Sequence, residues 1–178
     1  MTDSTLKPEP KNIAERRITK EEHEIGIGQD LLKALGLSGS LRHGKDDGVE
    51  PDLFLSKDEK TIGIEVGTAY YGNHQAHVEW SPGGGRWTVN DGNALMLQSV
   101  QHELNDKCNK TYSKADELWL CVELGATLAD IVEVEEMIKH LELKADHPYQ
   151  RIILLFYPHL RDGGGIRAFD LFPLIPRG

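Results

Sequence analysis

Asp52 and Glu65 are the residues in this sequence whose type and spacing carry the clearest chemistry. Two runs rich in β-branched and aromatic residues, Leu53-Phe54-Leu55 and Thr61 to Val66, flank the polar stretch Ser56 to Lys60 and read as an antiparallel hairpin. A turn centred between Asp58 and Glu59 sets Leu55 opposite Ile62, Leu53 opposite Ile64, and Asp52 opposite Glu65. Because strand side chains alternate, Leu53, Leu55, Ile62, Ile64 and Val66 then share one apolar face, and the two acids meet on the other. Like charges directly opposed on a sheet cost from a few tenths to about 1 kcal/mol, so the pair calls for a proton, a basic partner or a metal. Carboxylates at that separation suit Mg²⁺ or Mn²⁺, which complete their shell with water or phosphate oxygens and can activate a water for attack. The plain alternative is two acids on a solvated strand face.

The elements that must position this pair follow an α/β pattern. Thr19 with Glu22 forms a capping box, and Ile27, Leu31 and Leu35 recur at helical spacing before Gly36, which predicts a helix over about 20–35. A short strand is weakly signalled in 38–50, and 68–92 reads as a long loop. An amphipathic helix over about 92–110 carries Leu97, Val100, Leu104 and Cys108 on one stripe. Glu117 to Leu124 reads as a buried strand. Asp130 and Glu133 cap a helix bearing Ile131, Val134, Ile138 and Leu141, and Arg151 to Tyr157 is a strand apolar on both faces. Such alternation predicts a mixed or parallel sheet covered by helices on both sides. Residues 1–18, polar and with Pro8 and Pro10, are expected to be a flexible arm, and 19–178 a single domain.

Composition narrows the setting. No apolar run approaches the roughly 20 residues of a membrane span, and the first 20 positions lack a secretory apolar core, so a cytoplasmic chain without membrane contact is expected. Cys108 and Cys121 are too few for a disulfide framework and read as reduced, buried thiols. With 29 acidic and 20 basic residues the formal charge is −9, which weighs against a broad phosphate-binding surface. Basic residues nevertheless cluster in the arm and at Lys107, Lys110 and Lys114.

The order of these features resembles the PD-(D/E)XK nuclease superfamily over roughly residues 20–157. The matching features are a helix bearing Glu24, Pro51-Asp52 at a strand start, Ile64-Glu65-Val66 on its hairpin partner, an amphipathic helix, and the strand through Leu118 to Leu124. The resemblance implies a restriction-endonuclease-like mixed sheet flanked by helices. It also implies Mg²⁺ or Mn²⁺ held by Asp52, Glu65 and the Val66 main-chain carbonyl, Glu24 as an auxiliary acid, and hydrolysis of phosphodiester bonds in DNA or RNA. A homodimer and a bacterial defence or restriction-type role are further expectations of that kind. One departure matters: the family's lysine should stand two residues after Glu65, where this chain has Gly67. Some members carry the lysine on the helix after the hairpin. Lys107, three residues after Leu104 on the buried stripe, is the leading replacement here, ahead of Lys110 and Gln101. If nothing replaces it, the chain is a catalytically inactive nuclease-fold module that binds or regulates.

Other motifs are less specific. His74 and His77 lack a third ligand at helical spacing, and Gly83-Gly84-Gly85-Arg86 lacks the Lys-Ser/Thr of a phosphate-binding loop. Arg86 and Trp87 are candidates for substrate contact through charge and stacking, with Lys110 and Gln101 as further substrate-binding candidates.

Overall fold

A computed structural model describes residues 18–45, 48–70, 92–124, 131–158 and 165–173. The first helix, α1 (Lys20–Leu35), begins at the predicted capping box. Thr19 accepts from the Glu22 N–H while Glu22 reaches back to the Thr19 N–H, and Gly36 closes the other end in the left-handed region. Then come β1 (Ser40–His43), β2 (Leu53–Lys57) and β3 (Lys60–Ala69). After them stand α2 (Gly92–Lys107), β4 (Glu117–Leu124), α3 (Ile131–Ile138), β5 (Arg151–Phe156) and β6 (Arg167–Phe172). The six strands form one sheet in chain order. The β1–β2, β2–β3 and β5–β6 pairs are antiparallel, and β3–β4 and β4–β5 are parallel.

The architecture is therefore the expected mixed sheet with helices on both faces. One face carries α1: Ile27, Leu31 and Leu32 pack on Leu53, Leu55, Ile62, Ile64, Val66, Trp119, Cys121, Ile153 and Leu155. The opposite face carries α2 and α3, whose Met96, Val100, Leu104, Val134 and Met137 pack on Leu120, Val122, Leu124, Ile152, Leu154 and Phe156. Alternation along β5 thus feeds both cores, which is why this strand reads as apolar throughout. Cys108 and Cys121 are buried free thiols, and no helix among the described residues is long and apolar enough to cross a membrane.

Several boundaries move. The helix expected over 92–110 ends at Lys107, and Leu141, expected on the capped helix, lies beyond the end of α3 at Ile138. The strand expected to stop at Val66 continues through Gly67 and Thr68 to Ala69, because the parallel ladder to β4 pairs Gly67 with Val122 and Ala69 with Leu124. The last segment is a sixth strand tied to β5 by the Arg151–Asp170 pair, whose guanidinium donates from Nε at 2.5 Å. The expected arm up to residue 17, Asp130, and His74 through Trp87 lie outside the described residues.

The hairpin register is the predicted one, with Leu53 facing Ile64, Leu55 facing Ile62 and Ser56 facing Thr61. Its two-residue turn places Asp58 at φ 49° and Glu59 at φ 64°, the left-handed pair that matches strand twist and that favours Asn or Gly. A side chain there costs about 1–2 kcal/mol per residue relative to glycine. Glu59→Gly is accordingly expected to raise unfolding stability by about 1 kcal/mol, read as a higher urea midpoint with unchanged slope.

Candidate metal and phosphate site

Asp52 stands immediately before β2, on the side of the chain opposite Leu53, and its Oδ2 accepts the Val66 N–H at 2.9 Å. Its own carbonyl accepts the Gly44 N–H at 2.8 Å, so the residue is tied to both neighbouring segments. Glu65 projects from β3 toward α2 and is 2% exposed. There its Oε1 accepts from Lys107 Nζ at 2.8 Å and from Lys110 Nζ at 3.3 Å. The two acids, Lys107 and Lys110 are thus brought together, and the partner that a lysine on a buried stripe requires is Glu65.

Lys107 is placed by the end of α2. Leu104 and Cys108 bury the adjoining stripe, and the Tyr149 hydroxyl donates to the Lys107 carbonyl at 3.0 Å. A Cβ built on Gly67 would stand 2.8 Å from Glu103 Oε2 and 3.5 Å from Lys107 Cε. The position from which a strand lysine would rise is therefore already filled by two side chains of α2.

Glu24 is 5% exposed and reaches the same region from α1. Its Oε2 lies 2.5 Å from His43 Nε2, and its Oε1 lies 3.5 Å from Lys20 Nζ, which is itself 4.0 Å from Asp52 Oδ1. On the α1 face of the same strand ends, Glu123 accepts from the Thr68 hydroxyl at 3.1 Å and pairs with His23 at 3.3 Å. Gln101 is placed elsewhere: its side chain donates to the Glu142 carbonyl at 2.8 Å and accepts the Glu142 N–H at 2.9 Å. It clamps α2 to the segment after α3, six residues and a different helix face from Lys107. Arg86 lies outside the described residues.

Electrostatics separate the two acids. Burial, followed by the charge of Glu65, pushes the Asp52 carboxyl up to about 6, although the Val66 N–H and Lys107 oppose the rise. Burial also works against ionised Glu65, but the charge and hydrogen bond of Lys107, with help from Tyr112 and Lys110, hold it below the ordinary carboxylate range. Burial disfavours the Lys107 ammonium, yet Glu65, Asp52 and Glu103 together raise its pKa. His43 follows the same logic: burial lowers its pKa, and the Glu24 hydrogen bond and charge more than restore it.

These donors fit a hard divalent ion. Glu65 Oε2 and the Tyr112 hydroxyl are buried neighbours: neither makes a well-formed hydrogen bond, yet the hydroxyl is close enough to help hold Glu65 ionised. The site thus sets two acids, one of them with a raised pKa, beside the ammonium groups of Lys107 and Lys110. No group of three or more His, Cys, Asp or Glu side chains suited to a metal occurs among the described residues. An Mg²⁺ or Mn²⁺ ion, which takes one or two protein carboxylates, would be held here by Asp52 and Glu65. Lys20, His43, Glu103, Tyr112 and Tyr149 were missed by sequence reasoning. Only Glu103 had a signal, as the residue one helical turn before Lys107.

Comparison with protein-family models, with curated proteins and with solved structures finds no match to this chain.

The raised Asp52 pKa has a defined sign. A carboxyl that titrates near 6 in the fold and near 3.8 unfolded binds its proton more tightly in the folded state, so its contribution to stability falls as pH rises from about 4 to about 6. Glu65, held low, acts oppositely, its stabilisation being lost as pH falls below the usual carboxylate range. Asp52→Asn keeps an acceptor for the Val66 N–H and removes the buried charge. It is expected to be more stable than wild type by roughly 1–2 kcal/mol at pH 7.5, with the difference shrinking toward pH 4, in parallel urea titrations.

Proposed function

We propose that this chain is a metal-dependent nuclease that hydrolyses phosphodiester bonds of DNA or RNA, with Asp52, Glu65 and the Val66 carbonyl as ligands for Mg²⁺ or Mn²⁺. The observation that supports it furthest is the Lys107 ammonium on Glu65 Oε1, at 2.8 Å, above a strand position with no side chain. The order of elements from α1 through β4 is also the order on which the resemblance to the PD-(D/E)XK superfamily rests. A bound divalent ion would supply an acidified water and an electrophile for the phosphoryl oxygens.

The protein's own residues do the remaining work. The Val66 N–H fixes Asp52 Oδ2, and Oδ1, with Lys20 Nζ 4.0 Å away, would face the ligand. Lys107 offsets charge at a phosphoryl oxygen and orients the attacking water, the task that Gly67 cannot perform. Lys110, with its side chain 43% exposed beside Glu65, offers a phosphate contact from the solvent side. Glu24, set by His43 and Lys20, is the auxiliary acid that closes the α1 side. A homodimer would allow both strands of a duplex to be cut.

A second reading is a nuclease-like fold that binds without cleaving. It is favoured by the closed Lys107–Glu65 pair, which already neutralises one acid, and by the net charge of −9.

Cleavage assays on single- and double-stranded DNA and on RNA, with Mg²⁺, Mn²⁺ or chelator, decide between the two. Wild-type chain is expected to cut only with metal, Asp52→Ala to be inactive, and Lys107→Ala to lose about 10²–10⁴-fold. Cleavage undiminished in Asp52→Ala would move the activity to another site. Binding without cleavage by wild type would establish the second reading.

A further inference from the structure

The replacement of a strand lysine by one on a helix raises a question of charge. With its ammonium on Glu65 Oε1, Lys107 competes with any cation for the same carboxylate. The strand that carries Glu65 offers the lysine no other acid nearby, since the next residue on that face is Gly67. Its own helix does. Glu103 lies one turn before Lys107, half-buried, and its Oε2 occupies the space over Gly67. The Lys107 Cε passes within 3.5 Å of the same point, so the lysine stem and the Glu103 carboxylate share the space over Gly67.

We propose that Glu103 is a positioning residue that receives the Lys107 ammonium when a divalent cation engages Glu65, with Gly67 kept bare so that this second anchor has room. The inference rests on the metal-site reading above and adds a two-position lysine to it. In the first position Lys107 neutralises Glu65, and in the second it stands over Gly67, on the Glu103 side.

Three observations converge on this assignment. The Glu103 carboxylate fills the space over Gly67, because a methyl built there would stand 2.8 Å from Glu103 Oε2 and 3.5 Å from Lys107 Cε. Burial pushes the Glu103 carboxyl up while the charge of Lys107 pulls it down, so an approaching ammonium would hold it ionised. Glu103 already acts on Lys107 electrostatically, together with Glu65 and Asp52. The lysine therefore has both the Glu65 and the Glu103 carboxylates within its electrostatic reach.

The test is a double-mutant cycle read by Mn²⁺ binding in calorimetry on the full chain. Glu103→Gln removes the second anchor, leaves Lys107 on Glu65, and is expected to weaken Mn²⁺ binding roughly tenfold or more. In a Lys107→Met background no ammonium competes, and adding Glu103→Gln should change Mn²⁺ affinity by less than twofold. Glu103 acting only as a local negative charge or a structural prop would weaken binding in both backgrounds alike, and that result overturns the proposal. So does an unchanged affinity in Glu103→Gln alone. Glu103→Asp, which keeps the charge, is expected to restore part of the affinity, and thermal unfolding of each variant confirms that the fold is intact. Wild-type chain that takes up no Mn²⁺ would sink the metal-site reading together with this inference. Mn²⁺ uptake abolished by Asp52→Asn but indifferent to Glu103→Gln would sink this inference alone.

Discussion

The ion pair between Lys107 on α2 and Glu65 on β3 is the contact around which the site is arranged. Both groups are largely out of water, with side chains 14% and 3% exposed, so each would be costly without the other. Burial of such a pair seldom gains stability over apolar residues of the same size, and replacing pairs of this kind with hydrophobic side chains is often neutral or favourable. Here the arrangement is costlier still, because a second acid, Asp52, stands beside Glu65. A sheet that needed only stability would place valine or leucine at these positions.

Around that pair the fold is conventional. The hairpin supplies one continuous apolar face to α1, and α2 covers the other face through Met96, Val100 and Leu104. The acids emerge where the α2-facing side of the hairpin meets the helix end, between two dry cores. This location accounts for the divergent titration of Asp52 and Glu65. Both are desolvated, but only Glu65 has an ammonium in direct contact, so the two are driven apart in pKa by their partners rather than by their depth. Separation of that kind is what acid–base and metal sites commonly show.

The hairpin and its acids were legible in the sequence because two independent constraints agreed. A two-residue turn fixed the register, and the period-two apolar pattern fixed the face. The inward lysine was legible for a similar reason, since Leu104 and Cys108 place Lys107 next to a buried stripe. What escaped was set by contacts between distant segments. Gly67 interrupts the β-branched run, and Gly67 to Ala69 are carried as strand by their ladder to β4. The last strand, with Arg167 and Asp170 in a short alternation, depends on Arg151 of β5. Lys20 and His43 converge on Glu24 from opposite sides, and Tyr149 reaches Lys107 from the segment before β5. No local pattern encodes those meetings. Gln101 illustrates the converse: its place on the helix was clear, but its partner, the Glu142 backbone, was not.

The Tyr149 hydroxyl on the Lys107 carbonyl is a small contact with a wide reach. A lysine rooted in a strand would inherit its position from the ladder, the last part of a sheet to open. A lysine at the end of a helix inherits it from docking, and this helix end is pinned by a tyrosine from a third segment. The cation and the carboxylates therefore sit on different elements, so an opening confined to the last turn of α2 would separate the charges without disturbing the ladder. The contact of Tyr149 with the Lys107 carbonyl thus couples the segment before β5 to the place of the lysine.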